Sequence, residues 1–407
     1  MPTEAKRPLE GIKVLDLGRA IAAPYCAQML ADMGAHVIKI ERPGITDEMR
    51  AYPPFMKDND GAPTTEGHGY MAVNRNKKAI TLDLSKPAAQ EILKKLAKNA
   101  DVLIENYKVG DLKRYGLDYD AIREINPRII YCSITGYGQS GPYARRPGFD
   151  SVFQAMSGVM SVTGDPAQPP QRVGYIVSDV TAGMTAAQAV LGALYWRDVK
   201  GGTGQHIDIS LVESQIAAMG VHFTNYLLTG TVPRRAGVKT AGAVIAQPFP
   251  CSDGMLQISA QRDEEFARFA HTIGRADLAE DERFRTRKGR VENEEALVAI
   301  LNPILEKDTR ANWSKKFEAN NIIHSPIYAI DEVLEDEHIK SRDIVVSVEH
   351  PLRKDTRLVR NPIRYSESVL DKYAPPPLAG QHNEDVYKSL LGLSDEELEQ
   401  LKAESTI

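Results

Sequence analysis

Between residues 12 and 134 the chain alternates short apolar runs with longer amphipathic stretches, and this alternation constrains the fold more than any other feature. Residues 12–17 (IKVLDL), 36–40 (HVIKI), 79–84 (AITLDL), 102–105 (VLIE) and 129–134 (IIYCSI) have the length and apolar density of buried strands. The intervening segments carry helix signals. Tyr25 to Met33 ends at Gly34, and a second helix is capped by Ser85 and carries Pro87 near its start, with Ile92, Leu93 and Leu96 on one face. Strand–helix–strand repetition predicts an α/β fold: an open, Rossmann-like parallel sheet completed by a last strand at 206–210. Ligands of such a sheet bind beyond the carboxyl ends of its strands.

With 407 residues the chain exceeds one ordinary domain. Its character changes near residue 229, where TGTVPRRAGVKTAGAV reads as a linker. Residues 249–260 read as a hairpin around Asp253-Gly254. Amphipathic helices follow at 263–273, 292–307 and 309–320. We expect a large α/β domain over 1–228, a smaller α+β domain over 229–330, and a C-terminal segment over 331–407. That last segment contains strand-like DIVVSVEHP and an extended, Pro-rich YAPPPLAGQH. Residues 44–70 read as one long irregular loop and 211–228 as one long helix. A net charge of -5 gives no reason to expect nucleic acid or an anionic membrane surface. No apolar run is long enough to span a bilayer, and the N-terminus lacks a secretory apolar core. Three widely spaced cysteines, Cys26, Cys132 and Cys251, fit a reducing cytoplasm; nine scattered histidines without HExxH predict no metal centre.

The chemistry is expected in the stretch Gly174–Trp196. Ser178 reads as a helix N-cap, and Asp179 falls in the first turn, where free N–H groups and the helix dipole favour a carboxylate. Behind it Ala182, Gly183, Ala186, Ala187 and Gly192 leave room for a second backbone. Asp179 is then either an acid complementing a helix end or a nucleophilic carboxylate presented there. The strand ends offer further candidates. Arg42 follows Glu41 at the second strand, where an arginine suits a ribose phosphate or is simply solvated. Asn74, Asn76, Lys77 and Lys78 form a basic turn, suited to phosphate or merely exposed. Asn106-Tyr107 and the glycine loop Thr135–Gly138 end two more strands. The loop after the first strand is not GxGxxG, which disfavours a dinucleotide-dependent dehydrogenase.

Taken together, PLEGIKVLDLGRAIAAPYCAQMLADMGAHVIKIERPG, NRNKKAITLDL, DVLIENYKVGDLKRYGLD, NPRIIYCSITGYGQSGPYARRPGFD, GDPAQPPQRVGYIVSDVTAGM, GGTGQHIDISL and PPLAGQH stand in order over nearly the whole chain. In this the chain resembles the class III CoA-transferases, the CaiB/BaiF group. The resemblance implies two-domain protomers interlocked as a homodimer, or a hetero-oligomer with a homologous subunit. It implies no tightly bound cofactor and coenzyme A thioester as co-substrate, with an acyl-CoA donor such as succinyl-CoA and a carboxylic acid acceptor. Asp179 stands at the family's nucleophile, and Ala20, Ile21, Arg42, Lys77, Asn106, Tyr107, Arg114 and Tyr137 stand at its CoA contacts. Ala241-Gly242-Ala243 stands where some relatives carry a glycine-rich loop. An acyl-CoA racemase of the same superfamily needs a histidine in a GHD-like motif; here Gly148-Phe149-Asp150 puts Phe149 there, which carries no proton. An inactive partner subunit is the other alternative, and the intact Asp179 argues against it. Arg234, Arg235 and Lys239 form a basic linker that is solvated or attracts a second carboxylate.

Overall fold

The computed structural model describes residues 7–239 and 244–407, so Ala241-Gly242-Ala243 lies outside the described residues. The chain divides into two compact units. One comprises Met1–Val159, Val173–Gly230 and Asp343–Ile407; the other comprises Met160–Arg172 and Thr231–Arg342.

The larger unit is built on β1 (Lys13–Asp16), β2 (His36–Glu41), β3 (Phe55–Lys57), β4 (Pro63–Gly67), β5 (Lys77–Thr81), β6 (Val102–Glu105), β7 (Ile130–Thr135) and β8 (Gln205–Ser210). Its helices are α1 (Ala22–Asp32), α2 (His68–Val73), α3 (Pro87–Ala97), α4 (Tyr119–Ile125), α5 (Asp150–Met156), α6 (Val159–Val162, shared across the boundary), α7 (Val177–Val199), α8 (Leu211–Ala218) and α9 (Gly220–Thr229). Six strands form one sheet in the order β5-β2-β1-β6-β7-β8, with every neighbouring pair parallel. The winding reverses between β1 and β6, and a crevice opens beyond the carboxyl ends of strands at such a reversal. Alternate residues serve two cores, as a sheet covered on both faces requires. Val14, Ile104, Cys132 and Ile134 pack against α1 and α7, and Leu15, Leu103 and Tyr131 against α3, α4 and the C-terminal helices.

The smaller unit holds an antiparallel sheet of β9 (Ala246–Cys251), β10 (Gly254–Ser259) and β11 (Ile323–Pro326), turned at Asp253-Gly254, with amphipathic helices around Phe249, Phe266, Phe269 and Phe317. The chain then returns to the larger unit through the hairpin of β12 (Val345–His350) and β13 (Arg353–Val359). The Pro-rich segment that follows is pinned through its backbone. Pro377 O accepts from Arg50 and from the Tyr70 hydroxyl, and Ala374 exchanges hydrogen bonds with Asn76. His382, Asn383 and Tyr387 bond to the backbone of Ala79 and Thr81 on the outer side of β5.

Two expectations are corrected. Residues 44–70 are not one irregular loop; they contain a single 3-10 turn (Glu48–Arg50), the β3–β4 hairpin and α2. Apolar periodicity missed them because buried charge organises them: Arg50 is gripped by Glu41 and Glu66. Residues 211–228 form two helices, broken at Met219 where Gly220, a poor helix former, starts α9.

α1 crosses α7 at Gly183, one of the small residues anticipated there, whereas Gly192 faces open space. A Cβ on Gly183 would lie 2.8 Å from Ala22 O and 3.1 Å from the Tyr25 ring, whereas one on Gly192 meets nothing within 4 Å. Gly183→Ala is therefore expected to destabilise the protein by about 1–3 kcal/mol, by forcing the two backbones apart. Gly192→Ala is expected to stabilise it by about 0.5–1 kcal/mol, through helix propensity. Urea unfolding of the two variants checks the difference in sign.

Candidate active site

α7 begins one residue before the expected cap. Ile176 occupies the N-cap position, and Ser178 is buried inside the first turn. The capping carboxylate comes from another helix. Asp150 accepts the Ser178 N–H at 2.9 Å and the Gln154 side-chain amide at 2.7 Å. The Ser178 hydroxyl is held by Asp150 O and Gln215. Asp150 thus serves as a helix cap, for α7 rather than for its own helix.

With the cap position filled by Asp150, Asp179 stands in the first turn and is partly buried. Its own backbone N–H and that of Ala22, the first residue of α1, act on the carboxyl group and favour its charged form. Two helix N-termini therefore meet at one carboxyl group. The helix start alone favours an ionised carboxylate; the surroundings in the fold oppose it. Burial is the largest effect and the nearby Asp150 the next, and together they push the Asp179 pKa up to about 6 despite the two N–H donors. The group remains mostly ionised at neutral pH but less well solvated than a surface carboxylate, a favourable state for a nucleophile.

The predicted CoA-facing residues lie around the carboxyl ends of β1, β2, β6 and β7. Ala20 and Ile21 follow β1; Ala20 has a positive φ of 60°, and Ile21 is buried as the N-cap of α1. Asn106 and Tyr107 follow β6. Asn106 faces the β1 loop, where its amide donates to Arg19 O at 2.7 Å and its carbonyl accepts from Arg19 N at 2.9 Å. The Arg19 guanidinium lies 5.3 Å from the Tyr107 ring centre. Tyr107 N–H is held at 2.7 Å by Glu105, whose carboxyl burial pushes up to about 7. Arg42 is exposed just past β2, 3.3 Å from Asp83. Tyr137, past β7, packs edge-on against Phe153 of α5 and Tyr143. Arg114 is exposed on the turn Lys113–Tyr115, beside Asp111 and over the Tyr115 ring.

Lys77 is the exception. It is buried, and its ammonium is consumed by Asp16, Pro24 O and Asn74, each at 2.8 Å. A lysine with three internal acceptors has no donor left for a phosphate, so its expected CoA contact is revised to an internal strut. Burial is also the reason its pKa falls to about 8. In the smaller unit, Arg235 is spent on Asp165 O, Pro166 O and Gln168 O, and Lys239 on Glu294, which leaves exposed Arg234 as the remaining linker cation considered for an anion.

The sequence reading missed Lys39, Asp47 and Asp16. Lys39 is fully buried in β2, ion-paired with Asp47 at 2.9 Å and hydrogen-bonded to Gly18 O at 2.8 Å. A lysine inside HVIKI and an aspartate inside IKVLDL were the available signals, since strands buried on both faces are otherwise apolar.

Because the Asp179 pKa is raised on folding, the folded state loses stability relative to the unfolded chain as pH rises from about 4 through about 6, the range between the ordinary aspartate value and the shifted one. Asp179→Asn keeps an acceptor for Ala22 N–H without the charge. It is expected to melt a few degrees higher than the parent at pH 7.5, with the gain vanishing near pH 4. Calorimetry across that range checks the sign.

The site can be set beside known proteins. The model for CoA-transferase family III matches residues 9–383. A succinate–glutarate CoA-transferase from Agrobacterium fabrum is 38% identical over 386 residues, spanning 95% of this chain and 96% of that protein. The human succinyl-CoA:glutarate CoA-transferase is 36% identical over 396 residues, spanning 97% of this chain and 89% of that one. Among solved structures, a CaiB/BaiF family protein from Brucella suis superposes with a TM-score of 0.88 at 34% identity, covering 95% of this chain and 100% of its own. This chain, with its carboxyl group set between two helix starts, belongs to CoA-transferase family III.

Proposed function

We propose that the protein moves coenzyme A from succinyl-CoA to a dicarboxylic acid such as glutarate, with Asp179 as the covalent carrier. The single observation that carries the reading is the Asp179 carboxyl, partly desolvated, raised to about 6 and flanked by the N-termini of α1 and α7. The relatives named above supply the choice of donor and acceptor.

In the proposed reaction an Asp179 oxygen attacks the thioester carbonyl. The C–S bond breaks, leaving a mixed anhydride and CoA thiolate. The thiolate attacks the aspartyl carbonyl of that anhydride, expelling succinate and forming an aspartyl–CoA thioester. The acceptor carboxylate attacks the same carbonyl, giving a second anhydride and thiolate. The thiolate then attacks the acceptor's carbonyl, releasing the new acyl-CoA and free Asp179. Each attack places negative charge on an oxygen next to the helix N-termini, whose N–H groups favour it. Ala20, Ile21, Arg42, Asn106, Tyr107, Arg114 and Tyr137 are proposed as the CoA-binding edge, through loop backbone, aromatic faces and the Arg42 cation. Racemisation is not favoured: Phe149, 77% exposed at the N-cap of α5, offers no acid or base.

We also read the protein as a dimer of identical chains. α9 buries none of its side chains, and Val221, Leu227 and Leu228 are 83%, 77% and 80% exposed. A second copy covering such a helix removes an apolar face that a lone chain leaves in water.

Asp179→Ala is expected to lower transfer from succinyl-CoA to glutarate by about 10³-fold or more, with the acyl-CoA still bound. Parent kcat/KM should rise with pH through an acidic limb near 6, because only the carboxylate attacks. Full transfer by the variant ends the proposal. For assembly, light scattering should give twice the chain mass, and Leu228→Glu should shift it toward one chain; a monomeric parent ends the dimer reading.

A further inference from the structure

We propose that Asp47, with Lys39, is a positioning residue for the nucleophile: together they clamp the backbone of the β1–α1 loop so that Ala22 N–H points at Asp179. The proposal rests on the reading of Asp179 as the acyl carrier.

The loop runs from Gly18 to Ile21, and side chains hold it residue by residue. Gly18 N–H donates to Asp16 at 2.9 Å, and Gly18 O accepts from Lys39 at 2.8 Å. Arg19 is held at both N and O by Asn106. Ala20 N–H donates to one Asp47 oxygen at 3.2 Å, and that oxygen also takes Met49 N–H at 3.0 Å. The other Asp47 oxygen meets Lys39 at 2.9 Å, with both side chains fully buried. Asp47 is itself fixed, its own N–H bonded to Glu41 at 2.9 Å. One ion pair therefore grips the loop at Gly18 and at Ala20.

That grip has a conformational purpose. Ala20 is left-handed, with φ 60°, a conformation that an alanine avoids unless its surroundings impose it. Two residues later α1 begins, packed against α7 where Ala22 O approaches Gly183, and its first N–H is the one that acts on Asp179. If Ala20 relaxes to an ordinary negative φ, the chain entering α1 changes direction and the Ala22 N–H turns away from the carboxyl group. Asp47 lies far from Asp179 in sequence and bonds to the loop, not to the nucleophile, so its action is through backbone geometry.

The test compares the parent, Asp47→Asn, and the double variant Lys39→Met with Asp47→Leu. The double variant removes both buried charges and leaves neither unpaired, a change that buried pairs commonly tolerate. Folding is confirmed by circular dichroism before succinyl-CoA:glutarate transfer is measured across pH. Both variants are expected to lose about a hundredfold in kcat, the effect of a misplaced reacting group, with a smaller rise in KM for succinyl-CoA because the same loop carries Ala20 and Ile21. The acidic limb of kcat/KM should also move to higher pH, because Asp179 loses an N–H that favours its charged form. The other titratable group acting on Asp179 is Asp150 on α5, and neither variant touches it. Comparing variants on the same substrates cancels the substrates' own ionisation. Adding Ala20→Gly to Asp47→Asn should recover part of the lost kcat, since glycine takes a positive φ freely. A residue that only supports stability would lower the folded fraction and leave the pH limb in place. Folded variants with parental kcat and an unmoved limb overturn the clamp. Asp179→Ala, run alongside, separates the two ideas: transfer surviving there overturns the nucleophile reading, whereas a dead Asp179→Ala with normal Asp47 variants overturns the clamp alone.

Discussion

The larger unit depends on a loop of four residues being held without freedom at the carboxyl end of β1. This is the reversal point of the sheet, where β2 and β6 flank β1 on either side. Each flanking strand contributes to the hold: Lys39 comes from β2, and Asn106 from just past β6. Lys77 of β5 completes the lattice through Asp16 and Pro24 O. The parallel sheet thereby does more than expose a crevice. Its central strands carry buried charges whose partners are the backbone of the loop that opens α1.

Burying so many ions is costly, and apolar side chains of similar volume often stabilise a core as well or better. What the ions supply here is direction. A carbonyl accepts and an N–H donates a hydrogen bond only over a narrow range of directions, so a loop held at Gly18 N, Gly18 O, Arg19 N, Arg19 O and Ala20 N has one conformation available. Apolar contact cannot specify a left-handed alanine; paired charges with fixed geometry can. The same logic recurs at residues 44–70, where Arg50 between Glu41 and Glu66 orders a segment with no apolar pattern, and where Pro377 O ties in the returning C-terminal segment.

At Asp179 two opposed effects are balanced. Helix N-termini favour a charged carboxyl; burial and a second carboxylate disfavour it, and the second pair prevails. Asp150 is part of that balance because it caps α7 through Ser178, so the residue that stabilises the helix start also raises the pKa of its neighbour. The Gly183 contact with Ala22 O sets how closely the second helix start approaches. The carboxyl group is left less solvated than a surface aspartate, at some cost in stability and, in the proposed role of nucleophile, to the benefit of attack.

Much of this was legible in the residues. Short apolar runs such as IIYCSI and VLIE became central strands because their lengths and branched side chains suit a sheet covered on both faces. The small residues behind Asp179 marked a helix crossing because only Gly and Ala admit a second backbone. What the sequence by itself determined was therefore the layered α/β order, the approximate ends of the strands, and the placement of Asp179 in a helix's first turn, all of which follow from periodicity and local backbone rules. Only the tertiary structure decided which polar residues face outward and which inward. Lys77 and Lys78 read as part of one basic turn, yet they open β5, where strand alternation buries Lys77 against Asp16 and leaves Lys78 beside Asp385 on the surface. Asp47 lies in a stretch without pattern, and its partners are set by strands that meet it only after the sheet has formed. A hydrogen bond between groups distant in the chain depends on where the fold brings them, and no local pattern records that.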